Sequence, residues 1–316
     1  MLITIRRSLW IICITLLCAN NNIYADDSVT AMADKDNTQC QLNILLTNDD
    51  GWQAPGIQSL FSSLQRSGHT VTMVAPLTQQ SGRSSAINTA VGSLVSIKQQ
   101  ASNVWSVDGT PADSVKAALG IVLADHLPDL VISGSNFGPN VGQQTVLNSG
   151  TLGASLTAYH AGLPAIAVSV GMDLSERKSK PAFASTLAGF AKAASVLNGM
   201  LSELIKNNGC NSPLAGKNIL SINIPVPVQQ IKGIRYAPLS PNKLFRLTWL
   251  TENKLNKITF TQADESISLH NDDVGYFLRK YITVTPINGD LTQQISTDGT
   301  AQATWLPDLR GFESKD

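Results

Sequence analysis

The sequence predicts an α/β protein, a Rossmann-like, doubly wound and mostly parallel sheet followed by a β-rich extension. Three observations predict it. Short continuous apolar runs alternate with amphipathic stretches from residue 42 to about 225, the pattern of strands buried on both faces by crossover helices. Beyond 225 the runs become strand-like with little helix between them. The composition is that of a globular chain, with 316 residues, 43% hydrophobic and only 15% charged.

The elements follow in order. NILLT (43–47) reads as a strand, and Gly56 to Arg66 carries a helical stripe of Ile57, Leu60, Phe61 and Leu64 that Gly68 ends. TVTMVA (70–75) is a strand. Pro111 to Ala124 is helical with Val115, Ala118, Leu119 and Val122 on one face, and DLVIS (129–133) is a strand between Pro128 and Gly134. Thr151 to Ala161 is a small-residue helix, AIAVSV (165–170) a strand, 182–206 a long Ala/Leu helix, and NILSINI (218–224) a strand stopped by Pro225 and Pro227. The extension offers 231–237, 244–250, 257–261, SISLH (266–270) and YITVTP (281–286) as strands. Unpaired strands need partners, so this arm is expected to build an oligomer. The expected domains are 42–230, catalytic and Rossmann-like, and 231–316, the β-rich oligomerisation arm.

The N-terminus predicts location. Arg6 and Arg7 precede an apolar run, Ser8 to Ala19, too short for a permanent membrane anchor. Residues 1–25 therefore read as a signal peptide, with 26–41 a polar flexible leader, and the protein is expected in the periplasm or secreted. Loss of residues 1–25 removes two arginines and no acid, leaving a net charge of −2. Neither that balance nor 6% aromatics suits a nucleic-acid clamp. Cys40 and Cys210 remain, each a few residues before a strand. In an oxidising compartment they are candidates for a disulfide, the alternative being two separate buried thiols.

Ligands of open parallel sheets bind beyond the carboxyl ends of the strands. Four polar, Gly-containing segments fall there: Asn48-Asp49-Asp50-Gly51, Gln79 to Ser85, Gly134 to Asn140, and Asn148 to Thr151. Adjacent carboxylates are costly without a cation, and no Lys or Arg cluster is near. Asp49, Asp50, Ser81 and Asn136 offer only oxygen ligands, which suits Mg²⁺, Mn²⁺ or Ca²⁺ rather than Zn²⁺. Asp-Asp-Gly alone reads equally as a solvated turn. Ser149, Gly150 and Thr151 open a helix and suit a phosphate, or simply cap it. Dinucleotide, ATPase-type and G-x-S-x-G motifs are absent, and His69, His126, His160 and His270 form no metal pattern.

These rim segments together resemble the SurE survival-protein family of metal-dependent nucleotidases. The resemblance rests on ILLTNDDGWQAPGI (44–57), VAPLTQQSGRSSAI (74–87), VDGTPADSVKAAL (107–119), PDLVISGSNFGPNVG (128–142), NSGTLGAS (148–155) and GLPAIAVSV (162–170), and continues through 218–235 and 281–292. It implies that Asp49, Asp50, Ser81 and Asn136 hold a divalent metal, Mg²⁺ or Mn²⁺. Asp49, Asp50 and Asn136 would be catalytic. Asn48, Gly82, Arg83, Asn140, Ser149, Gly150 and Thr151 would contact substrate. It implies hydrolysis of nucleoside 5′- and 3′-monophosphates by metal-activated water, with polyphosphate, broader phosphatase action or binding without turnover as alternatives. It also implies homodimers or homotetramers with exchanged C-terminal arms, and a cytoplasmic location as the alternative to secretion. The chain departs from the family pattern at Leu77 to Gln80, where an acid and an Arg are usual, at Ser114 for Cys, and at Asn148 for Tyr.

Overall fold

In chain order the elements are β1 (Asn43–Thr47), α1 (Pro55–Arg66), β2 (Thr70–Pro76), β3 (Ile97–Ala101), β4 (Val104–Val107), α2 (Pro111–Ala117), β5 (Leu130–Phe137), α3 (Gln143–Asn148), α4 (Gly150–His160), β6 (Ala165–Val170), α5 (Ala184–Asn208), β7 (Ile219–Ile224), β8 (Gly233–Tyr236), β9 (Phe245–Glu252), β10 (Leu255–Gln262), α6 (Asp273–Leu278) and β11 (Tyr281–Ile287). The structure is a computed structural model that describes residues 40–211, 213–214, 218–252, 255–262 and 265–290. The signal segment expected at 1–25, the leader to residue 39 and the chain after 290 lie outside the described residues.

Nine strands form one sheet in the order β3-β4-β2-β1-β5-β6-β7-β11-β8. The six from β4 to β7 run parallel. The chain winds outward from β1 through β2 to β4, then restarts at β5 and winds the other way. The switch point of the doubly wound sheet therefore falls between β1 and β5, which pair directly.

Alternation along the strands divides the core in two. Ile44, Leu46, Met73, Ile132, Ile166, Val168 and Ile222 face α1 and α5, which pack on them through Ile57, Leu60, Leu64, Phe190 and Leu197. Leu45, Val74, Val131, Ala165 and Ala167 face the opposite layer, Val115 of α2 and Leu152, Ala154 and Ala158 of α4. Removing a side chain such as Leu46, fully buried, costs about 2–5 kcal/mol when truncated to Ala. Cys40 and Cys210 are joined, with Cα atoms 5.8 Å apart across 170 residues of chain. Closing so long a loop contributes up to about 5 kcal/mol in the chain-entropy picture.

Several expectations need correction. The boundary drawn at residue 231 cuts through the sheet: β11 pairs antiparallel with β7 and β8 pairs parallel with β11, so both belong to the main body. Among the described residues only β9 and β10 stand apart, as a two-stranded antiparallel sheet. Residues 266–270 are not a strand: Glu265–Leu269 is a 3₁₀ helix that sets Ile267 against Val274 and Phe277 while Leu269 faces solvent. The helix expected from 111 to 124 is α2 followed by a π-helical turn, Ala118–Val122, which keeps Leu119 and Val122 on the core. The strands β3 and β4, and the helices α3 and α6, were not expected. β3 (IKQQA) is a polar edge strand largely exposed, joined to β4 through Asn103 in the left-handed region, a conformation Asn tolerates.

Candidate active site at the switch point

The loop after β1 is a closed turn. Asn48 is fully buried; its Nδ2 donates to the Gly51 carbonyl (2.8 Å) and its Oδ1 accepts from Gly51 N–H (3.2 Å). Both ends of the amide are engaged in the turn, so Asn48 shapes the site. The turn places Asp49 and Asp50 at the carboxyl end of β1.

Asp49 is only 2% exposed. Its Oδ1 accepts from the Thr151 hydroxyl at 2.6 Å. Burial raises its pKa above the usual carboxylate value, opposed by the Thr151 hydroxyl and by backbone N–H groups of Asp49, Thr151 and Gly150. The first turn of α4 is thus aimed at the Asp49 carboxylate, where its N–H groups and dipole favour negative charge. The approach is close enough to demand glycine: a Cβ on Gly150 would lie 2.7 Å from the Asp49 Cβ. Ser149 caps the same helix, its hydroxyl accepting from Leu152 N–H at 3.2 Å. Of the two readings of this segment, capping is seen directly, and the Thr151 hydroxyl goes to Asp49.

Asp50 accepts the Phe137 N–H at 2.8 Å through Oδ2. Burial, then the charge of Asp49, push its pKa up to about 7. An acid pair held this far from its ordinary range calls for a neutralising partner.

Asn136 comes from β5, directly beside β1. The register against β6 shifts between Ser133 and Asn136, a bulge of the kind that re-aims side chains near active sites. Gly134 makes it feasible, with φ +137° and a Cβ that would meet the Val168 carbonyl at 2.2 Å. Asn136 Nδ2 donates to the Gly138 carbonyl at 2.8 Å, while its Oδ1 is buried and has no partner. An orphaned amide oxygen on the strand next to the one that ends in Asp49 and Asp50 fits a hard divalent cation. Among the described residues no cluster of three His, Cys, Asp or Glu could hold a metal by itself, so an amide and a hydroxyl would have to complete the set.

Ser81, the hydroxyl expected for that set, lies on an exposed loop. The Asp49 carbonyl accepts Gln80 N–H at 2.7 Å, which ties the loop to the acid turn. Ser81 and Asp50 line a common pocket of about 290 Å³ with Gln79, Phe137 and Phe190. Gly82 (φ +81°) and Arg83 are exposed beyond it. The far side of the loop is anchored to α2: the Thr110 hydroxyl donates to the Ala86 carbonyl (2.6 Å), and Asp113 accepts N–H groups of Asn88 and Thr110, both at 3.0 Å. Sequence reasoning missed this anchor, although Thr110-Pro-x-Asp113 carries the spacing of a capping box.

Asn140, expected to contact substrate, is tied to β6 and β7 by its hydrogen bonds. It is 5% exposed; its N–H donates to Asn223 Oδ1 (2.7 Å) and its side chain to the Ser169 hydroxyl (2.9 Å). Asn223, 83 residues away on β7, clamps the loop that follows Asn136. Asp273 extends the clamp, accepting Gly142 and Ser240 N–H groups at 2.8 and 2.7 Å.

The fold and site define a doubly wound α/β protein with an oxygen-only acidic centre at its switch point. The family model described as survival protein SurE matches residues 44–245. A Carboxydothermus hydrogenoformans protein named 5′-nucleotidase SurE is 34% identical over 278 residues, 85% of this chain and 98% of the relative. A Clostridium botulinum protein of the same name is 36% identical over 257 residues, 79% and 94% of the two chains. The crystal structure of the Sure protein from Aquifex aeolicus superposes with a TM-score of 0.63 at 28% identity, covering 79% of this chain and 94% of that one. The chain belongs to the SurE survival-protein family.

Proposed function

We propose that this chain is a divalent-metal-dependent 5′-nucleotidase that hydrolyses nucleoside 5′-monophosphates and also 3′-monophosphates. The observation that carries the reading is the adjacent Asp49 and Asp50, the first buried and the second half-buried, at the end of β1, with the unpartnered Asn136 Oδ1 on the neighbouring strand β5, in a chain similar over nearly their whole length to relatives named 5′-nucleotidase. Asp49, Asp50, Asn136 and Ser81 would hold Mg²⁺ or Mn²⁺. Such an ion supplies neutralisation of a phosphoryl oxygen and a lowered pKa for bound water. The chain does the rest. Thr151 and the start of α4 fix the Asp49 carboxylate, and the Phe137 N–H fixes that of Asp50. The Gly138 carbonyl holds the Asn136 amide nitrogen and leaves its oxygen unpartnered. Gly82 and Arg83, exposed next to Ser81, would bring a cation and backbone donors to the phosphate.

The lone β9–β10 pair supports a dimer or tetramer, since an isolated two-stranded sheet is marginal in water. The Cys40–Cys210 bridge and the apolar run at 8–19 support an oxidising, extracytoplasmic location. Among the described residues no helix is long and apolar enough to cross a membrane.

The test is phosphate release from 5′- and 3′-nucleoside monophosphates, tripolyphosphate and p-nitrophenyl phosphate, each with EDTA, Mg²⁺ or Mn²⁺. Release fastest on nucleoside monophosphates and abolished by EDTA is expected. Fastest release from tripolyphosphate, or none from folded protein with either metal, would overturn the reading.

A further inference from the structure

The stretch from Phe137 to Gly142 begins directly after Asn136 and carries two fastenings of the acid site. The Phe137 N–H donates to Asp50, and the Gly138 carbonyl accepts the Asn136 amide. Where this backbone lies therefore decides how Asn136 and Asp50 are held. One of its ties is local: the Gly138 N–H donates to the Val170 carbonyl of β6 at 2.9 Å. Others come from far along the chain.

Asn223, fully buried on β7, grips Asn140 at both backbone groups. Its Oδ1 accepts the Asn140 N–H at 2.7 Å, and its Nδ2 donates to the Asn140 carbonyl and to the Ser221 hydroxyl, both at 3.3 Å. In the register of the sheet Asn136, Ser169 and Asn223 form one row across β5, β6 and β7. Buried parallel strands are normally continuous apolar runs. An amide there adds nothing to packing that an apolar side chain of its size would not supply. What it adds is a fixed place for the loop backbone.

Asp273 holds the other end of the loop and is 1% exposed. Its Oδ2 accepts the Gly142 N–H at 2.8 Å; its Oδ1 accepts the N–H groups of Ser240 (2.7 Å) and Val274 (2.8 Å). Among the described residues no basic side chain pairs with it. Burying an unpaired carboxylate is unfavourable, and an amide would satisfy Ser240 and Val274 equally well. Only a carboxylate accepts on both oxygens, which joins the loop to the segment before β9. The Ser240 carbonyl completes the join by accepting the Gln143 N–H at 2.9 Å.

We propose that Asn223 and Asp273 are positioning residues of the metal centre. They hold residues 137–142 so that Asn136 Oδ1 and the Asp50 carboxylate keep the arrangement that binds a divalent cation. The inference rests on the metal centre of the proposed function and deepens it, by making metal affinity depend on residues 83 and 131 positions from the loop they grip.

The experiment compares the wild type with Asp273→Asn, Asn223→Leu and Leu201→Ala in the full chain. Mn²⁺ binding is titrated by calorimetry, and hydrogen exchange of residues 137–143 is followed in the metal-free protein. Asp273→Asn removes a buried charge together with one acceptor, so a loss of affinity there cannot be laid to a weakened fold. Leu201 is fully buried in the half of α5 that leads to Cys210, at the other end of the sheet, and serves as the destabilised control. Asp273→Asn and Asn223→Leu are each expected to weaken Mn²⁺ binding about 10- to 100-fold and to speed exchange of the loop at least about tenfold. Leu201→Ala should lower the thermal midpoint and leave both readings as in the wild type. Wild-type Mn²⁺ affinity in both Asp273→Asn and Asn223→Leu would overturn the proposal and leave the metal centre standing, as would an equal loss of affinity in Leu201→Ala. A wild type that takes up no Mn²⁺ would overturn the metal centre itself and the positioning role with it.

Discussion

The acid turn at Asp49–Asp50 and the loop at Ser81–Arg83 share one rim of the sheet and are built on opposite principles. The turn is buried, and each carboxylate there is fixed by a short hydrogen bond from a neighbouring element: Thr151 of α4 to Asp49, Phe137 of β5 to Asp50. The loop is exposed and is held on its flanks, by the Asp49 carbonyl on one side and, on the other, by the Ser84 hydroxyl on the Leu147 carbonyl and by Thr110 and Asp113. The difference teaches a division of labour. On the proposed function, geometry that would have to suit a small hard cation is set by helix and strand ends, while the part proposed to meet substrate is hung between anchors. Buried charge without its counter-ion costs stability, so the turn is where the fold works against itself.

The largest effect should come from breaking the buried half. Asp49→Asn keeps an acceptor for Thr151 and removes one charge from the pair. Turnover should fall at least about a thousandfold, with a thermal midpoint no lower than that of the wild type in EDTA. Steady-state kinetics and calorimetric melting check the two together. Near-normal kcat would show that the carboxylate is dispensable.

A smaller effect should come from freeing the loop. Asp113→Asn replaces one acceptor oxygen with an amide donor facing the N–H of Asn88 or Thr110. It should weaken Mn²⁺ activation about tenfold, as outer-shell changes do, and cost about 1 kcal/mol through the α2 cap. Activation curves against Mn²⁺ concentration measure the first and urea unfolding the second. Loss of stability with an unchanged activation constant would make the anchor purely structural.

A third effect, which needs no substitution, is a pH dependence of the metal-free protein. Asp50 has its pKa raised from 3.8 to about 7, so the folded chain binds more protons than the unfolded one between those values. Stability in EDTA should therefore fall as pH rises from about 4 to 7. Asp273, raised to about 6 by burial, adds to the same trend. Mn²⁺ should reverse the Asp49–Asp50 share and leave that of Asp273. Melting curves from pH 4 to 8 with and without metal separate the two; identical slopes would deny the pair a metal.

How much of this was legible in the sequence follows the same divide. The strands β1, β2, β6 and β7 are continuous apolar runs between turn residues, and their parallel arrangement follows from the helices between them. The edge strand β3 is polar, because an edge buries little, and so it carries no hydrophobic signal. That β8 and β11 complete the main sheet while β9 and β10 leave it is a matter of long-range pairing that no local pattern records. At the site, Asp49, Asp50 and Asn136 could be grouped in advance because strand ends converge at a switch point. The partners of Thr151 and Asn140 could not: one faces an acid 102 residues away, the other an amide 83 residues away. A hydroxyl or amide in a rim segment announces a hydrogen bond without saying to whom.

The central claim is that the switch point holds one divalent cation between Asp49, Asp50 and Asn136. Calorimetric titration of the metal-free protein with Mn²⁺ tests it without reference to catalysis. The account predicts one ion per chain in the wild type, proton release on binding near pH 6, and loss of that binding in both Asp49→Asn and Asn136→Ala. Wild-type protein that takes up no Mn²⁺, or Mn²⁺ binding that survives both substitutions, would contradict it.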